Sequence, residues 1–92
     1  MMSDLAAVLA EHRAAPFPSA VRRGEDYGSV CAVTIDADIC GWASRAGSLP
    51  PGARVPLARA ADRLRSSLPE FPAAGRPYYE RLLVIADLAL AE

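Results

Sequence analysis

Asp36 and Asp38 stand one residue apart, directly after the most β-rich run of the chain, Ser29-Val-Cys-Ala-Val-Thr-Ile35. Sugar-nucleotide transferases hold a metal ion with such a pair at a strand end, but on a nucleotide-binding fold far larger than 92 residues could build. With no third carboxylate or histidine nearby in sequence, the two side chains are expected to satisfy local amides in a turn, and no metal is expected. His12 is the sole histidine, so any Ser-His or Cys-His nucleophile, for example Cys31 activated by His12, would have to use it. Nothing in the spacing supports that pairing, and a histidine ending a surface helix is explained by the negative end of the helix dipole. Cys31 and Cys40 are too far apart for a C-x-x-C site and are expected to be reduced, buried thiols. No catalytic residue and no cofactor is expected.

Other motifs point to surfaces more than to chemistry. Gly47-x-x-x-x-Gly52 has phosphate-loop spacing, yet Ala53 and Arg54 replace the Lys-Ser/Thr pair and two prolines remove amides such a loop needs. Arg54, Arg59, Arg63 and Arg65 form a locally basic stretch, with Arg59 and Arg63 on one side of a helix. Asp62 interrupts them and the chain as a whole is acidic, so a solvated face is favoured over a nucleic-acid surface. Asp36, Asp38, Trp42, Arg59 and Arg63 remain as a candidate ligand or partner surface. Tyr78 and Tyr79 must point about 100° apart on a helix, one inward and one toward a surface or interface.

The elements that would carry these residues read as an α+β fold. Ser3 caps a first helix reaching about Ala14, with Leu5, Val8, Leu9 and His12 on one face. Pro16 and Pro18 end it, and a polar loop leads to a β-hairpin over about 29–44, turning at Asp36-Ala-Asp38. In that hairpin Cys31 faces Ala43 and Cys40 faces Thr34, so no disulfide joins the cysteines. A competing reading places a short helix after Asp38, with Ile39, Trp42, Ala43 and Ala46 at helical spacing and Gly47 ending it; Gly41 counts against it. An αα-hairpin over about 56–68 and 77–91 completes the chain, Pro56 and Pro77 opening its helices. The stripe of the first is Leu57, Ala61, Leu64 and Leu68. In the last, only Asp87 is polar between Leu82 and Ala91, so apolar surface wraps most of the circumference. That predicts a homodimer through Tyr78, Leu82, Ile85 and Leu90.

Composition sets the class. Hydrophobic residues make up 52% and charged residues 23%, the balance of a folded chain, and 92 residues suffice for one domain spanning 1–92. All ten basic residues are Arg, Lys, Asn and Gln are absent, and Ala occurs nineteen times, the mark of GC-rich codons. The start lacks a secretory signal pattern, and the longest apolar stretch is about half the ~20 residues that span a bilayer, so a soluble, cytoplasmic protein is expected.

The run Asp36-Ala-Asp-Ile-Cys-Gly-Trp42, followed by a Leu-rich helix and then Pro77-Tyr-Tyr-Glu-Arg-Leu82, resembles small uncharacterised proteins of high-GC Gram-positive (actinobacterial) bacteria. The resemblance implies a bacterial cytoplasmic origin and no particular substrate, cofactor or partner. The leading expectation is a non-enzymatic interaction or regulatory protein acting as a homodimer, a class in which immunity and antitoxin roles also occur. A small-molecule module or minor enzyme with a pocket near Trp42, Asp36 and Asp38 is the alternative, and nucleic-acid binding through the second helix a third.

Overall fold

In a computed structural model describing residues 3–45 and 49–92, the chain is built of four helices and one small hairpin. The expected α+β order of N-terminal helix, hairpin and two C-terminal helices is present, with a fourth helix between the hairpin and the last two. Helix α1 spans Asp4–Ala14; the Ser3 hydroxyl accepts the Ala6 amide at 3.1 Å, and Leu5, Leu9 and His12 face inward. The chain leaves it at an extended Ala15, just before Pro16.

The hairpin pairs β1, Asp26–Tyr27, with β2, Val30–Cys31, matching Asp26 to Cys31 and Tyr27 to Val30. Gly28 opens its two-residue turn at φ 62°, a conformation open to Gly at little cost. The turn rests on the buried Ser67, whose hydroxyl accepts the Ser29 amide at 3.0 Å.

The hairpin expected over 29–44 is therefore corrected: its strands lie earlier, and Ala32–Ala43 is helix α2. Ala32, Ile35, Ile39 and Ala43 are its buried residues, spaced by three and four, so the burial of one helical stripe overrides the β preference of Val33, Thr34 and Ile35. The competing helix reading had the right element type but not its start: Cys31 is the N-cap, Asp38 lies mid-helix, and Ala46 and Gly47 fall outside the described residues. Gly41 sits on the exposed side, where a Cβ would meet nothing within 4 Å. The pairing that separated the two cysteines does not exist, but both are free thiols, nine residues apart along α2 and so roughly 13 Å apart by helical rise.

Helix α3, Pro51–Ser67, begins more than a turn before Pro56, because Pro51 takes the opening position and Pro56 is accommodated inside. Leu57, Ala61 and Leu64 face the core as expected, Leu68 is half-buried beyond the helix end, and Arg59, Asp62, Arg63 and Ser66 are exposed. Two short 3₁₀ turns, Leu68–Glu70 and Ala73–Gly75, lead to α4, Arg76–Ala91.

Helix α4 is the axis on which α1, α2 and α3 pack. Tyr79, Leu82, Leu83, Ile85, Ala86 and Ala89 are buried against them, and Arg65 of α3 clasps Asp87 at 3.1 and 3.3 Å on the outside. Leu82 and Ile85 have 0% exposure, while Tyr78 and Leu90 are half-buried against the same core. Leu82 and Ile85 are thus covered within the protomer by α1, α2 and α3, while Tyr78 and Leu90 keep part of their surface. No helix among the described residues is long and apolar enough to cross a membrane.

Two outcomes are expected. The purified chain should run at the mass of one copy, 9.7 kDa, in size-exclusion chromatography with light scattering, and a doubled mass that survives dilution would restore the dimer. Gly28→Ala would place a Cβ 2.6 Å from Ser67 Oγ and 2.8 Å from Ser67 Cβ. It should cost on the order of 2 kcal/mol in urea melts, more than Gly24→Ala, where φ is also positive but the space is open.

Candidate functional site

Three helices deliver polar side chains to one point. His12, in the last turn of α1, is only 2% exposed, and its Nε2 lies 2.8 Å from Asp36 Oδ1 on α2. Cys40, one turn further along α2, directs its thiol to the same oxygen at 3.5 Å. From α4, Tyr78 donates its hydroxyl to Asp36 Oδ2 at 2.6 Å, and Arg81 Nε donates to His12 Nδ1 at 3.1 Å. A guanidinium can only donate, so Nδ1 is the accepting nitrogen and the imidazole proton sits on Nε2, facing the carboxylate. The His12–Asp36 contact in this arrangement is a neutral imidazole bonded to a carboxylate, not an ion pair.

The Tyr78 ring lies 4.2 Å from the His12 ring and 5.7 Å from Phe17, and the Arg23 guanidinium covers Phe17 at 4.2 Å. Above the cluster opens a cleft of about 390 Å³ whose walls include Arg13, Phe17, Val33 and Ala37.

Burial would push the Asp36 carboxyl up, but hydrogen bonds from His12 and Tyr78 and the bond from Cys40 together hold it below its ordinary value. Burial, then the neighbouring Asp36 charge and hydrogen bond, push Cys40 up to about 12 and drive the Tyr78 phenol well above its ordinary value. All three move away from neutrality, whereas acid–base catalysis favours groups titrating close to it. Among the described residues, no buried side-chain nitrogen or oxygen lacks a hydrogen-bond partner.

The sequence expectations sort cleanly against this geometry. The Asp36/Asp38 pair dissolves, since residues two apart on a helix point some 200° apart. Asp36 enters the cluster, whereas Asp38 lies with Cys31, Thr34 and Arg63 around a separate cleft of about 280 Å³. His12 is buried among partners and not left on a surface helix end. Cys31 caps α2 at the other end from Cys40, where bonds from the Thr34 hydroxyl and the Thr34 and Val33 amides pull its thiol below the ordinary value. Neither cysteine is fully buried, contrary to expectation.

The remaining candidates, Trp42, Arg59 and Arg63, are brought together with Pro56 and Asp62 around a groove of about 540 Å³. Cys40 and Arg81 were not foreseen as site residues, Tyr78 was expected only at an interface between two copies, and His12 was considered only as a catalytic base. The available signals were a histidine sharing a face with Leu5, Val8 and Leu9, and an aspartate following an apolar run.

Asp36→Asn is expected to destabilise the chain by about 1–3 kcal/mol at neutral pH, since it removes charge from three hydrogen bonds. Because the folded-state pKa is lowered, this contribution is complete above the unfolded value of about 3.9 and disappears as pH falls through the folded value. In thermal melts, the gap between the two proteins should be constant from about pH 7 to 5 and close below about pH 4. A gap unchanged down to about pH 2 would show that the carboxylate charge plays no part.

No protein-family model, curated protein or solved structure matches this chain, so what its surfaces do has to be read from their own geometry.

Proposed function

We propose that this chain is a non-enzymatic, cytoplasmic interaction protein that docks an acidic, partly apolar segment of a partner protein in the groove of Trp42, Pro56, Arg59 and Arg63. One observation carries the reading: two exposed arginines stand beside an indole and form no ion pair among the described residues. Asp62, the acid of this groove, is taken by Arg65 at 3.1 Å, and Arg59 and Arg63 have no ion-pair partner among the described residues. They are exposed, one helical turn apart on α3.

Trp42 is half-buried and packs against the core, so its ring offers a fixed apolar wall at little entropic cost. Val55, 55% exposed, lies one turn before Arg59 on the same side of α3 and extends that wall. A helix or strand carrying carboxylates around an aliphatic or aromatic residue complements this arrangement in both charge and shape. A nucleic acid fits less well: Asp62 and Asp38 lie close to the two arginines, and the net charge of the chain is −1.

Trp42 is the single tryptophan, so its fluorescence reports on the groove directly. Titration with amphipathic peptides bearing a Glu/Leu face should shift its emission, and the matching Lys/Leu peptides should not. Arg59→Glu with Arg63→Glu should weaken the acidic peptide by about tenfold or more while leaving the helical circular dichroism unchanged, because both side chains are exposed. Equal binding by the charge-reversed protein, or no emission change with any acidic peptide, would overturn the proposal.

A further inference from the structure

We infer that His12, Asp36 and Cys40 form an open binding site for a zinc-class divalent transition metal at the floor of the α1–α2 cleft. The ligand atoms Nε2, Oδ1 and Sγ all lie within 4.8 Å of one another. A tetrahedral ion with bonds of about 2.0–2.3 Å holds its ligands some 3.3–3.7 Å apart, so the Cys40–Asp36 separation of 3.5 Å already fits and the His12–Asp36 separation of 2.8 Å needs to open by roughly half an ångström. Asp36 and Cys40 are four residues apart on α2 and share a face, while His12 arrives from α1.

The donor set selects the ion. One imidazole nitrogen, one thiolate and one carboxylate oxygen suit a borderline-soft cation and not calcium or magnesium, which take oxygen ligands. Three protein ligands leave a fourth position, and the cleft of about 390 Å³ supplies it with water or a small ligand. Tyr78 holds the far oxygen of Asp36 at 2.6 Å, which keeps the carboxylate monodentate and oriented.

Arg81 sets how tightly the ion is held. With a metal on Nε2, the imidazole proton moves to Nδ1, and the guanidinium that now donates there has to turn away. Its place to go is Glu11 Oε1, already 3.7 Å from its Nη1. Cys40 gives up its thiol proton to solvent as the metal–sulfur bond forms. The metal-free cluster is itself fully hydrogen-bonded, so the chain folds without the ion and binding must exceed that network, unlike a structural zinc site on which folding depends.

The test uses the untagged, metal-free 92-residue chain titrated with Zn²⁺ alone, and with Co²⁺ as a spectroscopic substitute. One ion per chain should bind in calorimetry, Zn²⁺ should raise the melting temperature reversibly to EDTA, and Co²⁺ should give a thiolate charge-transfer band in the near ultraviolet. Cys40→Ala, a half-buried position outside the buried core, should fold, lose the band and weaken binding by about tenfold or more, whereas Cys31→Ala should leave both intact. No band and no thermal shift in the parent chain would overturn the inference. So would a band that survives Cys40→Ala and vanishes in Cys31→Ala, because the ion would then sit on the other thiol.

Discussion

Helix α4 carries apolar side chains around most of its circumference, and water must be excluded from several sides of it at once. Burial at roughly 25 cal/mol per Å² makes that the dominant local demand on a chain this small. The rest of the architecture meets it: α1, α2 and α3 each lie against α4, and the one well-exposed large apolar side chain on it is Val84. Where the circumference turns polar, Asp87 is met by Arg65 across the surface, and Arg54 of α3 donates to the Leu90 carbonyl near the end of the helix. The hairpin follows the same logic at the opposite end, with Tyr27 stacked at 4.8 Å on Phe71, which in turn contacts Tyr79 of α4 at 4.3 Å.

Helices gathered around one apolar axis are free to rotate and slide unless something directional fixes them, since hydrophobic burial has no preferred angle. The Asp36 carboxylate supplies direction. It collects donors from α1, α2 and α4 on two oxygens, and Tyr79 adds a buried bond of 2.9 Å to the Ala32 carbonyl at the start of α2. A half-buried charge is costly alone and stable only when its lone pairs are occupied, so each donor depends on the others being in place. The register of α1 and α2 against α4 is locked by that mutual dependence.

Much of this was legible in the sequence, and the failures have definite physical causes. Ser3, Pro16 and the Leu57/Ala61/Leu64 stripe marked α1 and the core face of α3 correctly because caps, breakers and 3.6-residue spacing act locally. The 29–44 segment misled because β-branched residues dominate Val30–Ile35, while the deciding pattern, Ala32-Ile35-Ile39-Ala43, hides its helical period behind two alanines that look neutral in sequence. The polar cluster was illegible for another reason: His12, Asp36 and Tyr78 are 24 and 42 residues apart, and only the packing of α1, α2 and α4 brings them together. The burial of Leu82 and Ile85 was illegible for a related reason, because the misplaced hairpin removed one covering helix and left their apolar area without a partner inside the chain.

The arginines show how structure restores information that codon bias removes. In a chain without lysine, the presence of an arginine says little, but its partners say a great deal. Arg76 donates to the Phe71 and Pro69 carbonyls at 3.1 Å, Arg65 holds two aspartates, Arg81 holds His12, and Arg23 lies over Phe17. Each of these has structural work within the chain. Arg59 and Arg63 have no such ion pair among the described residues, although Asp62 lies between them in sequence and Arg65 is the residue that claims it. A guanidinium beside a fixed indole is more weakly hydrated than an ammonium and is ready to meet a carboxylate in two parallel bonds. Around Asp36 the donors of His12, Cys40 and Tyr78 are all bonded inside the fold, whereas along the α2–α3 groove Arg59 and Arg63 stand exposed beside Trp42.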